Sequence, residues 1–346
     1  MPPRAVASAA LRLVVKSLRA HPLRAVSITL LLLLLLPLLL QGRGEAHSCA
    51  PPAFAQPESW PPAAFVPFDA RSAAASASKE ASFTVVVNTF QRPKLLARAV
   101  AHYAACPSVA GLRVVWSEPR SPPATTSFAL PRGRPSGFVR FDAHPTTSIN
   151  NRFIPLDNLS TAAVFSVDDD VLVPCLLLSR GFSAWRAAPH ALVGFWPRAV
   201  ARDAAACGGY TYVSAEPALF LRGEFSIILT KAAFLHASYF DAYTHDQPAT
   251  MREYVSNRRE CEDIAMAFLI ANATRAPPVW VRPPLWFWAA SKIDGIGRGG
   301  ISNGGVKGHH TVRGQCVADF VAAYGRDPLV VAPLRDGSRN ARPKLA

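Results

Sequence analysis

The 346 residues are half hydrophobic and 17% charged, and their formal net charge is +14. This composition is ample for the hydrophobic core of two domains or of one large α/β domain with additions. The charge argues against a nucleic-acid binder, because residues 1–48 contribute +5 and residues 335–346 contribute +3, which leaves no dense basic run between them.

The N-terminal 25 residues carry five basic side chains and no acidic one, and residues 26–40 are almost wholly apolar. The apolar run is shorter than the ~20 residues of an average spanning helix, so it fits either a signal-peptide core or a short anchor. The long, one-sided basic leader favours an uncleaved anchor, with a cleaved signal ending near Ala46 as the alternative. We therefore predict a cytoplasmic tail over 1–25, a single-pass signal-anchor over 26–40 and a Pro/Ala-rich stem over 41–81.

Regular structure is predicted from residue 82 onwards, because the β-branched run at 83–87 is typical of a buried strand. A helix is predicted over 94–103, since Pro93 suits a first helical turn and apolar residues follow at i,i+4 spacing. Further strands are predicted over 112–116 and 138–141. Helices that alternate with strands in this way indicate a largely parallel sheet.

The most informative stretch is a predicted strand over 163–167 that runs directly into Asp168, Asp169 and Asp170. A strand interior cannot hold three adjacent charges, so they belong at its carboxyl edge, where open α/β sheets bind ligands. Adjacent carboxylates raise one another's pKa unless a positive charge lies among them, and Mg²⁺ or Mn²⁺ is the simplest such partner. We hypothesise a metal–diphosphate site for a nucleotide-sugar, near the strand ends at Asn88 and Ser117; a solvated acidic loop is the alternative.

Two other polar segments allow a functional and a purely structural interpretation. Asn151 and Arg152, within 149–155, could contact a nucleotide or simply form a polar turn. Glu262 and Asp263 precede an apolar helical run, where carboxylates also stabilise the helix dipole without any catalytic role. A Gly-rich loop ending at 316 could close over a substrate or be a disordered insertion, and its two adjacent histidines do not form a zinc site.

The rest of the second half is predicted from its apolar runs. We expect a helix over 176–185, strands over 191–196 and 225–230, a helix over 231–239, and a helix over 317–324 followed by a basic tail over 331–346. Aromatic side chains crowd this half, and large aromatics are more often core than sugar-binding platforms. Sequons at Asn158 and Asn272 agree with a luminal location.

Seven motifs occur in an order that points to one family. They are NTFQR at 88–92, VVW at 114–116, NNRF at 150–153, VDDD at 167–170, FSIILT at 225–230, CEDIAM at 261–266 and RGQC at 313–316. Each is weak alone, but together they make the chain resemble glycosyltransferase family 64, the exostosin-like domain, over about 83–329. The stretch from 300 to 325 is most similar to the plant and algal members.

The resemblance implies a GT-A nucleotide-sugar transferase fold over 82–330, with a Rossmann-like, mostly parallel central sheet flanked by helices. It implies Mn²⁺ (or Mg²⁺) as cofactor, with Asp170 as the metal ligand and Asp168 and Asp169 beside the phosphates of the donor. The nucleotide contacts that it implies are Asn88, Arg92, Asn151 and Arg152. Ser117 stands where an Asn often contacts the nucleotide, a departure that could alter the choice of donor.

The resemblance also assigns the catalytic groups. Asp263 matches the catalytic carboxylate and Arg313 matches the arginine at the donor phosphates. Cys261 and Cys316 match a disulfide of the family, which would tether the two catalytic residues to each other. Glu262 stands where an Asp is common, which is a second departure.

The expected activity is retaining transfer of a hexose or N-acetylhexosamine from a UDP- or GDP-linked sugar to a glycan or glycolipid acceptor. The alternatives are a mannosyl- or hexosyltransferase of glycosyl inositol phosphorylceramides, and an inactive membrane-anchored carbohydrate-binding protein. The expected location is the Golgi or endoplasmic reticulum membrane, as a single-pass type II protein with a luminal catalytic domain and no nucleic-acid partner. Donor, acceptor, oligomeric state and the exact role of Asp263 stay open at the level of sequence.

Overall fold

A seven-stranded sheet with helices packed on it carries the fold. A computed structural model describes residues 53, 80–213, 216–284 and 309–334. The predicted tail, anchor and most of the stem, together with 285–308 and 335–346, lie outside the described residues. Within the described part of the chain, no helix is both long enough and apolar enough to cross a bilayer.

Twelve strands are assigned within the described residues. They are β1 Phe83–Thr89, β2 Val109–Trp116, β3 Val139–Ala143, β4 Ala163–Asp168, β5 Val193–Gly194, β6 Pro197–Arg202, β7 Tyr210–Val213, β8 Glu224–Phe225, β9 Ile227–Ile228, β10 Ala232–His236, β11 Val279–Trp280 and β12 Ala332–Pro333.

Seven α-helices are assigned within the same residues. They are α1 Pro93–Ala104, α2 Cys175–Ala187, α3 Glu216–Arg222, α4 Ser238–Asp241, α5 Ala249–Arg258, α6 Glu262–Thr274 and α7 His309–Tyr324. A π-helical turn, Ala242–Asp246, follows α4, and a short 3-10 helix, Ile149–Phe153, precedes β4.

The central sheet has the strand order β11-β5-β10-β4-β1-β2-β3. Strands β4, β1, β2 and β3 are mutually parallel, as predicted, and β10 runs antiparallel to β4 and β5. The β-branched residues of β1 are buried on both faces, which is the reason the run reads as continuously apolar. The resulting mixed α/β layer fits a Rossmann-like fold.

The predicted helix over 231–239 is wrong. This segment forms β10, whose residues Ala232 to Leu235 are all buried and pair with Val164 to Val167 of β4. A short apolar run does not distinguish a buried helix from a buried strand, and here the open edge of β4 decides in favour of the strand. A helix begins only at Ser238.

Two predicted strands are shorter than expected. Only Val193–Gly194 of the predicted 191–196 strand pairs in the sheet, and the predicted 225–230 strand is divided between β8 and β9. These two pieces lie in different small sheets, β8 with β12 and β9 with β6. The chain therefore bends at Ser226, which an apolar pattern alone does not reveal.

The residues 309–316, predicted as the end of a loop, are the first half of α7. Gly314 allows this helix to lie directly against β7, because a Cβ at that position would be 2.8 Å from the carbonyl oxygen of Tyr210. The helix therefore depends on a residue without a side chain where it crosses the strand.

Replacing Gly314 with alanine should move α7 away from β7 and destabilise the fold. Overpacking against backbone costs about 1–3 kcal/mol, and the better helix propensity of alanine returns about 1 kcal/mol of it. We expect a net loss of about 1 kcal/mol or more in the free energy of unfolding, measured by urea denaturation. Gly111→Ala is the matched control, because its Cβ would be 3.5 Å from the Phe138 carbonyl, an ordinary contact. Equal stability of the two variants would contradict the close packing of α7.

Candidate active site

The three carboxylates lie at the carboxyl end of β4, as predicted, and we call Asp168–Asp170 the acidic strand tip. Asp168 pairs in register with Asn88 at the end of β1, and the Asp169 N–H donates to the Asn88 carbonyl at 3.1 Å. On the other side, the Asp168 N–H donates to the Lys231 carbonyl at 3.1 Å. The tip is therefore fixed between the ends of two neighbouring strands.

Arg92, just before α1, faces two of the three carboxylates. Its Nη2 lies 2.7 Å from Asp169 Oδ1 and its Nη1 lies 3.0 Å from Asp170 Oδ2. The Thr89 hydroxyl donates to the other oxygen of Asp169 at 2.6 Å. Asp169 is thus held on both oxygens, whereas Asp170 has one oxygen beside the guanidinium.

Burial raises the pKa of Asp169 and that of Asp170. The pKa of Asp169 rises to about 6, because burial and the charges of its two neighbours outweigh the Thr89 hydrogen bond and the Arg92 charge. The pKa of Asp170 is also raised, by burial first and then by the charge of Asp168, against the opposing charges of Arg92 and Lys231. The acidic strand tip therefore has more negative charge than its protein partners compensate.

This excess of negative charge suits a hard divalent cation. No group of three or more His, Cys, Asp or Glu side chains in the described residues is arranged as a complete metal cluster. A nucleotide-bound Mg²⁺ or Mn²⁺ needs only one or two carboxylates, since phosphates and water complete its coordination. The Asp170 oxygen that does not face Arg92 fits that requirement, and the metal role of Asp170 stays a prediction.

Arg152 joins the acidic strand tip to the start of α6. Its Nη1 lies 3.0 Å from Asp168 Oδ1 and 3.1 Å from Glu262 Oε1, and the residue is only 2% exposed. Its Nη2 donates to Ser166 Oγ at 3.1 Å and to the Thr230 carbonyl at 3.0 Å. Burial acts to lower the pKa of Arg152, but the charges of Asp168 and Glu262 outweigh it and the net pKa is raised.

Asp263 and Arg313 form a buried ion pair in the same region. Arg313 Nη2 donates to both carboxylate oxygens of Asp263, at 2.5 and 2.6 Å, and the Ile264 N–H donates to Oδ1 at 2.8 Å. Burial acts to raise the pKa of Asp263, but Arg313 outweighs it and the pKa falls below its ordinary value. Asp263 is therefore an anion that can stabilise positive charge.

Two further contacts orient Arg313. Its guanidinium carbon lies 4.7 Å from the centre of the Tyr212 ring on β7. The predicted disulfide between Cys261 and Cys316 is confirmed, and it links the residue before α6 to the helix that carries Arg313. The buried Arg313 Nε makes no hydrogen bond that meets the geometric criteria among the described residues.

The other predicted nucleotide contacts lie nearby, and one of them is already occupied. Asn151 Nδ2 donates to Ser117 Oγ at 3.0 Å and to the Thr146 carbonyl at 2.7 Å, while its Oδ1 accepts from the Thr146 hydroxyl at 3.2 Å. Asn151 and Ser117 therefore hold the loop after β2 against the 3-10 helix. Asn88 contributes its backbone to the strand tip. Nucleotide binding by these residues stays a prediction.

Sequence reasoning missed two residues of the site. Glu118 is buried and accepts from the Gln91 N–H at 2.8 Å, which positions the segment before Arg92. Lys231 lies opposite the acidic strand tip, and it was hidden in a segment interpreted as a helix. The position of this lysine between two apolar runs is the signal that could have identified Lys231 as a strand boundary.

Comparison with known proteins identifies relatives along most of the chain. The model of the Glycosyl transferase family 64 domain matches residues 83–338. Glycosylinositol phosphorylceramide mannosyl transferase 1 of Arabidopsis thaliana is 40% identical over 264 residues, which cover 73% of this chain and 75% of the relative.

Two other relatives are longer than the matched region. Exostosin-like-3 homolog of Caenorhabditis elegans is 32% identical over 258 residues, 74% of this chain and 29% of the relative. Glucosamine inositolphosphorylceramide transferase 1 of Oryza sativa subsp. indica is 33% identical over 254 residues, 72% of this chain and 32% of the relative. This chain thus spans about a third of their length.

Replacing Glu262 with glutamine should change how stability depends on pH. Burial and the adjacent Asp263 charge raise the pKa of Glu262 from its ordinary 4.5 to about 7. The stability that this group contributes is therefore full below about pH 4.5 and is lost as the pH rises through about 7. Glutamine does not ionise, so the melting temperature of the variant relative to the native protein should increase from pH 5 to pH 8, by about 3 °C or more.

The exposed Glu253 of α5 provides the matched control, Glu253→Gln. The difference in melting temperature between this variant and the native protein should stay constant over the same pH range. If the difference in melting temperature between Glu262→Gln and the native protein is equally constant, the charge of the buried carboxylate is balanced by its surroundings at every pH.

Proposed function

The chain belongs to glycosyltransferase family 64 and is a glycosyltransferase, and we propose that it transfers a hexose, mannose first among them, from a nucleotide-sugar to a glycosyl inositol phosphorylceramide. The observation that carries this proposal is the joining of the acidic strand tip to Glu262 through Arg152, beside the Asp263–Arg313 pair. A carboxylate cluster suited to a metal–diphosphate and a separate buried carboxylate–guanidinium pair thus share one region.

The choice of acceptor is supported by the relatives. The mannosyl transferase of Arabidopsis thaliana is 40% identical and 75% of its length is covered, whereas the exostosin-like homologue is 32% identical and only 29% covered. The second candidate function is transfer of an N-acetylhexosamine from a UDP-sugar to a glycan. It is supported by the exostosin relatives, the exostosin-like homologue and Exostosin-2 of Mus musculus.

The chemistry follows from where charge develops. When the donor bond breaks, negative charge grows on the diphosphate and positive charge grows on the sugar. A divalent cation held by Asp170, with Asp168 and Asp169 beside it, would supply charge neutralisation at the phosphates. Arg313 would donate to the departing phosphate.

Asp263 would act on the sugar. Its lowered pKa keeps it ionised, so it can stabilise an oxocarbenium-like sugar, orient the acceptor hydroxyl or act briefly as a nucleophile. Arg313 holds both of its oxygens, which fixes the carboxylate in one orientation before a ligand arrives. We propose a GT-A fold and retention of configuration on the basis of the family.

The location that we propose is the membrane of the Golgi or endoplasmic reticulum, with the chain anchored through 26–40 and its catalytic part in the lumen. One sequon supports this topology, because Asn158 is exposed and accessible for glycosylation. The sequon at Asn272 gives this topology less support, since the Asn272 side chain already accepts a hydrogen bond from Arg326.

A panel of donors tests the activity. The full chain in membrane vesicles is given GDP-mannose, UDP-N-acetylglucosamine or UDP-N-acetylgalactosamine, with Mn²⁺ and a glycosyl inositol phosphorylceramide or a glycosaminoglycan oligosaccharide as acceptor. We expect mannosyl transfer to the lipid, lost on chelation and in Asp170→Ala. Transfer of N-acetylhexosamine to the oligosaccharide would support the second candidate, and full activity of Asp170→Ala would remove the metal from the mechanism.

Asp263→Asn should bind the donor but lose transfer by at least about 10²-fold, the scale of one charged catalytic group. The amide keeps the shape of the side chain and cannot neutralise positive charge on the sugar. Transfer is measured at saturating donor, with nucleotide affinity and melting temperature as separate readouts. The exposed Asp241→Asn is the matched control. Turnover of Asp263→Asn close to that of the control would exclude Asp263 from the chemistry.

A further inference from the structure

Lys231 is a basic residue at the start of the segment that pairs with β4 beside the acidic strand tip. It directly precedes β10, whose first residue, Ala232, pairs with Val167, so Lys231 stands opposite the end of β4. No motif used to assign the site includes it as a functional residue. Its side chain is half-buried.

The backbone around Lys231 is held in place on three sides. The Lys231 carbonyl accepts from the Asp168 N–H at 3.1 Å, and the preceding Thr230 carbonyl accepts from Arg152 Nη2 at 3.0 Å. The Leu229 N–H donates to the Trp196 carbonyl at 3.0 Å. Because these bonds fix the turn, the side chain starts from a defined position at the edge of the site.

The ammonium lies among the charged groups of the proposed reaction. Its Nζ is 5.0 Å from the centre of the Trp196 ring, which limits the directions it can take. The charges that act on it are those of Asp168, Asp170, Asp263 and Arg198. It is therefore near both the carboxylates assigned to the diphosphate and the carboxylate assigned to the sugar.

We propose that the Lys231 ammonium binds the diphosphate of the nucleotide-sugar and, beside the divalent cation, stabilises the negative charge of the leaving nucleoside diphosphate. When the bond between the sugar carbon and the β-phosphate oxygen breaks, its electron pair stays on that oxygen, and the ammonium would offset the negative charge that develops there. This inference rests on the proposed function.

Burial and the Arg198 charge lower the pKa of Lys231 to about 8, although Asp168, Asp170 and Asp263 act to raise it. The ammonium thus remains protonated near neutral pH at a cost that further negative charge would relieve. A diphosphate supplies that charge.

The test compares Lys231→Met, which removes the charge and keeps the length, with Lys231→Arg, which keeps the charge. The control is Arg140→Met, which removes one positive charge from an exposed position on the edge strand β3. For each full-length protein, calorimetry gives the affinity for GDP, UDP and the matching monophosphates with Mn²⁺. Electron paramagnetic resonance gives the affinity for Mn²⁺ alone.

We expect Lys231→Met to lose about tenfold in diphosphate affinity, with a smaller loss for the monophosphates. Its Mn²⁺ affinity without nucleotide should be unchanged or higher, because a competing positive charge is removed. Lys231→Arg should recover diphosphate affinity to within about threefold. Lys231→Gln replaces the Met variant if the latter does not reach the melting temperature of the control.

Diphosphate affinity within twofold of the native value in the neutral variants would overturn the inference. Parallel loss of Mn²⁺ and diphosphate affinity would overturn it as well, since it would show that Lys231 only organises the carboxylates. In both cases a native protein that binds nucleoside diphosphate leaves the proposed function standing. A native protein that binds neither GDP nor UDP would overturn the proposed function together with this inference.

Discussion

The site depends on one buried guanidinium. Arg152 contacts Asp168 at the end of β4, Glu262 at the start of α6 and the Thr230 carbonyl before β10, so three distant parts of the chain meet at a single side chain. A buried ion pair adds little net stability over a well-packed apolar replacement, but removing one partner strands the others at a cost of about 3–5 kcal/mol. Arg152 therefore specifies the relative positions of the strand tip and the helix more than it strengthens the fold.

Charge compensation around this residue is unequal, and the inequality separates two functions. The Asp263 carboxylate receives both a guanidinium and a backbone N–H, and its pKa is lowered. The pKa of Asp169 and that of Asp170 are raised, because burial is only partly offset by Arg92. Asp263, at one end of the site, is thus an anion that stays ionised, and the other end is short of positive charge. A cation-bound diphosphate at the second end would satisfy it without disturbing the first.

The strands that carry the acidic strand tip could be predicted from sequence because they are fully buried. β1 and β4 are continuous apolar runs that end at polar residues, and a parallel central sheet requires no more than that. β10 could not be predicted in this way, since Ala232 to Leu235 has no period that distinguishes helix from strand and its pairing with β4 is a tertiary contact.

The same limit applies to the site. The sequence separation of 110 between Arg152 and Glu262 leaves no local pattern that pairs them, and only the motif order of the family suggested that Asp263 and Arg313 would meet.

The geometry of the Asp263–Arg313 pair, to which we assign the catalytic role, is set by contacts within the chain. The disulfide from Cys261 to Cys316 holds the start of α6 against α7, and Gly314 lets α7 lie on β7, where the Tyr212 ring faces the guanidinium of Arg313. Stabilisation of a departing phosphate is most effective when the donor is already oriented, because no free energy is then spent on reorganisation during the reaction. A flexible loop carrying the same arginine would have to be ordered in every catalytic cycle, which is why its place on a helix, rather than in the loop that the glycines suggested, favours the catalytic role.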